Sequence, residues 1–175
     1  MTQSYKAIVD DFSAGLKQAP QEGKVTFAAE SRQIEGLCSE VSIRDFKLLI
    51  DEPPSLAGSD QGPNPVELVL ASLAACQEIT YRLYADRLEI PLDGVSVRIE
   101  GDLDLSGFFA VDDEVRPGYT AIKAKVTLDS PASDDDLARL KAEVDRHCPV
   151  LDILRNPTPV ALDLEVDAEA GRSAA

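Results

Sequence analysis

The chain has 175 residues, with 32 Asp plus Glu against 17 Lys plus Arg, a formal net charge of −15. That length fits one domain with a proper core, and 44% hydrophobic with 28% charged residues is ordinary for a soluble globular protein. The acidic balance argues against nucleic acid, whose phosphates need clustered Lys and Arg, and against anionic membrane surfaces. No apolar run approaches the roughly 20 residues that a membrane-spanning helix requires. The opening MTQSYKAIVDDFSAG has neither the basic start nor the apolar stretch of a secretory signal. A cytoplasmic location is expected.

Residues 1–23 mix charges with Gly15 and Pro20 and are expected to hold a short strand or turn ahead of one domain, residues 24–167. Lys24 to Ala29 alternates, with Val25, Phe27 and Ala29 on one side, which predicts a strand. Glu40 to Ile50 reads as a second strand whose phase slips after Ile43, as a bulge would make it. The run DEPPSLAGSDQGPNP holds four prolines and two glycines and has to be a loop. Asn64 then offers a helix cap, Pro65 suits the first helical position, and Glu67 completes a capping box. The helix that follows, to about Leu88, is apolar on more than one side through its first half.

Gly94 to Leu105 and Thr120 to Leu128 alternate in phase and predict two strands joined by a loop. Ser133, followed by Asp134, Asp135 and Asp136, caps and charges the start of a helix running to about His147. A short helix is expected from Pro149, a last strand from Thr158 to Val166, and a frayed tail over residues 168–175. Strands, a long apolar helix, strands, a helix and a strand make an α+β fold, not a doubly wound sheet. A helix so apolar, with so little to cover it, predicts a homodimer.

Three cysteines, Cys38, Cys76 and Cys148, are too few for a disulfide-stapled secreted domain. With one histidine and no C-x-x-C pair, a closed zinc set is not expected. Cys76 lies in the apolar helix. It reads either as a small buried hydrophobe or as a thiol left approachable by Ala71, Ser72, Ala74 and Ala75. Cys148 directly precedes Pro149, so it is either a plain junction residue or a thiol with its pKa lowered at a helix start. His147 and Arg146 either assist that thiolate or face solvent, with solvent the first reading. Cys38, near Glu35 and Glu40, is expected to be unreactive, because carboxylates raise a thiol's pKa. A thiolate that attacks an oxidant benefits from a nearby cation. Arg44 shares the phase of Phe46, Leu48 and Ile50, so it points either inward toward an anion or outward as a surface charge. Arg32 is the second candidate.

Two blocks, GPNPVELVLASLAAC at residues 62–76 and HCPVLDILRNPTPV at residues 147–160, closely resemble the OsmC/Ohr family of thiol-dependent peroxidases. The segments IPLDGVSVRIEGDLDL and VRPGYTAIKAKVTLDSPAS between them resemble that family's strands, so the resemblance runs over about residues 24–166. It implies an intertwined α+β homodimer with two long central helices between antiparallel sheets. It also implies reduction of organic hydroperoxides as an antioxidant, stress-response activity, with no metal, haem or flavin. By position, Cys76 would be the peroxidatic thiol, Cys148 the resolving thiol, and Arg44 or Arg32 the cation over the thiolate. A dithiol, such as a lipoylated protein, would reset the disulfide. In one place the sequence departs from the family. The usual T-N-P-E has a Glu that helps hold the arginine, whereas Pro63, Asn64 and Pro65 are followed here by Val66. The departure implies low or redirected activity and leaves a second reading open, a binding protein for a small hydrophobic ligand on the same fold. A third, a redox switch acting on a partner, has no feature in its favour.

Overall fold

A computed structural model of the chain describes residues 5–166. The longest stretch without proline or glycine follows Pro65 and forms the central helix, α2, Pro65–Leu88. Its start is built as the spacing predicts. The Asn64 side chain accepts from the Glu67 N–H at 2.8 Å, and the Glu67 carboxylate accepts from the Asn64 N–H at 2.8 Å. Two of the unpaired amides at the helix start are thereby satisfied, and Pro65 has none to satisfy. The helix stops at Glu89, which turns left-handed with φ 58°. At 24 residues it is about 36 Å long, and it carries more apolar surface than one neighbour can cover.

One cover is an antiparallel pair, β4 (Gly94–Asp102) and β5 (Ala121–Asp129), in register from Gly94 opposite Asp129 to Asp102 opposite Ala121. Another is α4, Asp134–His147, with the Ser133 side chain accepting from the Asp136 N–H and three acidic residues in its first turn. Tyr81 and Ala85 of the central helix, Ile90, Leu92, and Leu140 and Val144 of α4 close into the core. Burying about six apolar side chains of this kind stabilises the unit by roughly 1.5–3 kcal/mol for each large one. The Arg82 guanidinium donates to the Leu92 carbonyl at 2.5 Å and ties the helix to the entry of β4. At Gly101 any Cβ would sit 2.5 Å from the Tyr119 ring. The missing side chain lets Tyr119 lie flat there and donate its hydroxyl to the Val66 carbonyl at 2.9 Å, fixing the β4–β5 connection against the start of α2. That connection includes a single helical turn, α3 (Leu105–Phe108), where the alternation predicted strand as far as Leu105.

The first third of the chain departs from expectation in three places. Residues 6–18 form a helix, α1 (Lys6–Gln18), not a strand or turn; its charges are solvated while Ile8, Phe12 and Leu16 recur every fourth residue. The Tyr5 N–H donates to Asp86 at 2.6 Å, and Lys6 pairs with Glu89 at 3.4 Å, so α1 sits on the far end of α2. Residues 24–29 are not a strand. Phe27 is 88% exposed, and the strand starts later, at β1 (Glu30–Glu35). Alternation alone supplies no partner, and a strand forms only where its backbone groups can pair. Finally, the expected bulged strand over Glu40–Ile50 is two strands, β2 (Cys38–Ile43) and β3 (Phe46–Ile50), paired antiparallel with Ile43 opposite Phe46. The phase slip is a two-residue hairpin turn, Arg44–Asp45, with Arg44 at φ 54°.

At the other end, α5 (Pro149–Arg155) forms as expected, but Thr158–Val166 forms no strand. Its alternating Val160, Leu162, Leu164 and Val166 are between 77 and 91% exposed. The predicted last strand pairs with no strand among the described residues. No helix among the described residues is long and apolar enough to cross a membrane.

The loop from residue 51 to the helix cap folds around one carboxylate. Asp51 is buried and accepts from the amides of Glu52, Ser59 and Gln61 and from the Ser59 hydroxyl, at 2.7 to 3.2 Å. The Ser59 hydroxyl and these amides hold the Asp51 carboxyl below its ordinary range, against the opposing effect of burial. A lowered carboxyl pKa stabilises the fold above the unfolded value, near pH 4, and that contribution is lost as the pH falls through the folded value. Acid titration of denaturant stability should therefore show a loss that begins below about pH 4 and is flattened in Asp51→Asn. Identical acid limbs for the two proteins would remove Asp51 as the organising group.

Candidate active site

Helix α2 carries Cys76 at mid-length, three residues beyond the buried Leu73 and one before the buried Gln77. Cys148 stands at the joint between α4 and α5. The joint exists because Pro149 cannot continue the ladder of α4 but suits the first position of a new helix. Cys148 is extended, at φ −74° and ψ 112°, and closes both helices with its backbone. Its N–H donates to Val144 at 2.9 Å, and its carbonyl accepts from the Asp152 N–H at 3.0 Å. The side chain, 1% exposed, turns inward to α2, and its sulfur lies 3.3 Å from the Cys76 sulfur. Two residues separated by 72 positions in sequence thus meet at contact distance. Both are free thiols. A disulfide needs about 2.05 Å, so closing the bond takes a displacement of little more than an ångström.

Burial pushes the Cys76 pKa up, and the Cys148 thiol beside it adds to that. Acting the other way are the Val150 backbone N–H, at the first turn of α5, and the Thr80 hydroxyl. That hydroxyl also donates to the Cys76 carbonyl at 2.7 Å. None of these groups is a cation. Cys76 is half-buried, so a small oxidant has a side from which to approach, whereas Cys148 is closed to solvent. Access therefore distinguishes the two sulfurs.

The other expected residues lie elsewhere. Arg44 does not point inward: it occupies the exposed hairpin turn, its guanidinium 5.0 Å over the Phe46 ring, because the phase that seemed to bury it belongs to the strand after the turn. It takes no part in the single-chain site. Arg32 lies on β1 and pairs with Glu40 at 3.5 Å. Cys38 is buried at the start of β2, and burial, Asp51 and Glu35, in that order, raise its pKa. His147 is exposed, stacked on Tyr84 with ring centres 5.1 Å apart, and its Nδ1 is 2.8 Å from the Glu143 carbonyl. Arg146 pairs with Glu143 at 3.6 Å. Val66 contributes its backbone carbonyl, and Glu67 is spent on the helix cap. Among the described residues no cluster of three or more His, Cys, Asp or Glu side chains is arranged to hold a metal ion. Thr80 and the Val150 amide escaped the sequence reading. The first had a usable signal, a hydroxyl one turn after the cysteine, while the second depends on how α5 docks.

The chain is similar to known proteins in family and fold. The family model described as OsmC-like protein matches residues 58–163, more than half of the chain and inclusive of both cysteines. Among solved structures, an OsmC-like protein from Mycoplasma pneumoniae is similar with a TM-score of 0.67 at 19% identity, over 77% of this chain and 90% of that one. An organic hydroperoxide resistance protein from Legionella pneumophila, described also as a predicted redox protein and regulator of sulfide bond formation, is similar with a TM-score of 0.59. Its identity is 24%, over 75% of this chain and 90% of that one. A third, a putative organic hydroperoxide resistance protein from Vibrio cholerae with captopril in one of its active sites, has a TM-score of 0.56 and 18% identity. The overlap is 77% of this chain and 89% of that one. No curated protein matches the sequence.

With a raised pKa, Cys76 holds little thiolate at neutral pH. Alkylation of the reduced protein by iodoacetamide, followed peptide by peptide, should climb at Cys76 with a midpoint above the ordinary thiol value of about 8.5. A plateau already reached at pH 7 would show a stabilised thiolate, which this geometry does not provide.

Proposed function

The chain belongs to the OsmC-like family, and from that premise we propose that it is a thiol-dependent peroxidase that reduces organic hydroperoxides through Cys76 and Cys148. The observation that carries the reading is the 3.3 Å contact between the two sulfurs. The Cys76 thiolate attacks one oxygen of R–O–O–H. A sulfur–oxygen bond forms, the oxygen–oxygen bond breaks, and the alkoxide leaves with a proton as R–OH. Cys76 is then a sulfenic acid, oxidised by the two electrons the peroxide has gained. The Cys148 sulfur attacks that sulfenic sulfur, water departs, and the disulfide closes. An external dithiol, a lipoyl group being one, reduces it by two exchange steps and is itself oxidised to a disulfide.

The placement of Cys148 suits a resolving role, since its sulfur is shielded from bulk oxidant but in contact with its partner. The raised pKa of Cys76 suits a reaction that quickens with pH, because the attacking species is the thiolate. Val66 fits the same picture, as no carboxylate follows Pro65 to hold a guanidinium over the sulfur. A cytoplasmic setting, with its dithiol reductants, would support the cycle.

The proposal includes a homodimer. The arm 157–166 carries four alternating apolar residues that are exposed and unpaired among the described residues, and Phe27 is bare. Leaving such a row exposed invites pairing with another chain. Light scattering after gel filtration should give twice the 18.8 kDa of one chain, and deletion of residues 157–175 should yield a monomer or an insoluble chain. A monomeric full-length protein would contradict the dimer.

For the chemistry, the reduced protein mixed with cumene hydroperoxide should lose two thiols per chain, with Cys38 retained. Cys76→Ser should lose none. Cys148→Ser should lose one and give a dimedone-reactive sulfenic acid at Cys76. Full thiol content in the wild type after prolonged exposure would overturn the assignment.

A further inference from the structure

A second feature adjoins the sulfur contact, lined by Leu73 and Gln77 on α2 and Leu151 on α5. Between the inner face of β5 and helices α4 and α5 runs a cleft of about 830 Å³, within the range of small-molecule sites. Its lining includes two small side chains, Ala124 on β5 and Ala138 on α4, which leave space that larger ones would fill. Its apolar lining includes Leu73, Ile122, Val126 and Leu137. Gln77, 4% exposed, also lines it, and its side-chain nitrogen is a buried donor without a partner among the described residues.

The charge around this cleft opposes that of the molecule. In a chain of net charge −15, the cleft is bordered by three cations, Arg116, Lys141 and Arg155, and a single carboxylate, Asp145. That carboxylate is already committed, paired with Lys141 at 2.5 Å. Arg116 and Arg155 are exposed and have no carboxylate partner among the described residues. Arg116 comes from the β4–β5 connection, held in place by Tyr119, and Arg155 is the last residue of α5. Two unpaired guanidiniums beside an apolar trough match a ligand with one anionic end and a hydrocarbon body. Guanidinium binds a carboxylate through two parallel N–H donors, and burying a donor without an acceptor is costly. A ligand oxygen near Gln77 would remove that cost.

We propose that this cleft is a binding site for an amphiphilic organic acid, a medium-chain carboxylate in its simplest form. The inference stands apart from the thiol chemistry, since neither sulfur lines the cleft. Titration calorimetry on the full chain with octanoate, octanol and octylammonium tests it. Octanoate should bind one per chain, with octanol at least about tenfold weaker and octylammonium weaker still, because only the anion engages the guanidiniums. The double variant Arg116→Gln with Arg155→Gln changes only exposed side chains. It should lose about tenfold in octanoate affinity and leave octanol unchanged. Ala124→Phe, with an unchanged melting temperature, should abolish octanoate binding by filling the trough. Cys76→Ser should bind octanoate as the wild type does, so that failure of the peroxidase reading and failure of this one are told apart. Absence of octanoate binding, equal affinity for octanol, or full affinity in the double arginine variant would each overturn the proposal.

Discussion

Everything in this molecule depends on the way α4 lies against the central helix. Leu140 and Val144 lock onto Tyr81 and Ala85 and leave no freedom in how far along α2 the second helix sits. The core is dry enough to push the Tyr81 hydroxyl up to about 12, through burial and then the nearby Asp145 carboxylate. Because α4 is fixed, its end is fixed, and Pro149 forces the chain to turn there. The residue at the turn, Cys148, therefore arrives at one place on α2, and that place is Cys76. A packing constraint between apolar side chains sets the distance between two sulfurs.

The same docking decides their electrostatics. A thiolate at Cys76 would have the Val150 amide as a donor, and the Thr80 hydroxyl only when its proton leaves the Cys76 carbonyl, set against burial and a neighbouring thiol. Hydrogen bonds of that kind favour the anion, but burial works against it and prevails here. The residue after Pro65 matters for this balance. A carboxylate there could anchor a guanidinium, whereas Val66 offers a carbonyl to Tyr119 and the following Glu67 closes the helix cap. On the proposed reading the two cysteines are a redox pair with modest activation, whose reactivity rests on proximity more than on charge.

Much of this was legible from the residues alone, wherever the signal was local. The Asn64, Pro65 and Glu67 cap, the Ser133 cap with its acidic first turn, and the Pro149 break each state a rule of backbone hydrogen bonding, and all three elements form where those rules put them. The two cysteines were legible as candidates, but their contact was implied only by the family resemblance, because no local rule relates residues 72 positions apart. What misled was alternation without a partner. Residues 24–29 and 158–166 carry the period of a strand and are not strands within one chain. Arg44 misled in a related way: a hairpin turn and a bulge shift the side-chain phase alike, and only the pairing of Ile43 with Phe46 distinguishes them. The helix at residues 6–18 was hidden by its charges, although Ile8, Phe12 and Leu16 keep a four-residue spacing.

The most direct measurement is a map of the disulfide that one equivalent of hydroperoxide produces in the reduced chain, read by mass spectrometry of non-reduced peptides. The account predicts a single linkage, between the peptides containing Cys76 and Cys148 and within one chain. A linkage through Cys38, a bond between two chains, or stable sulfinic acid at Cys76 with Cys148 still reduced would contradict it.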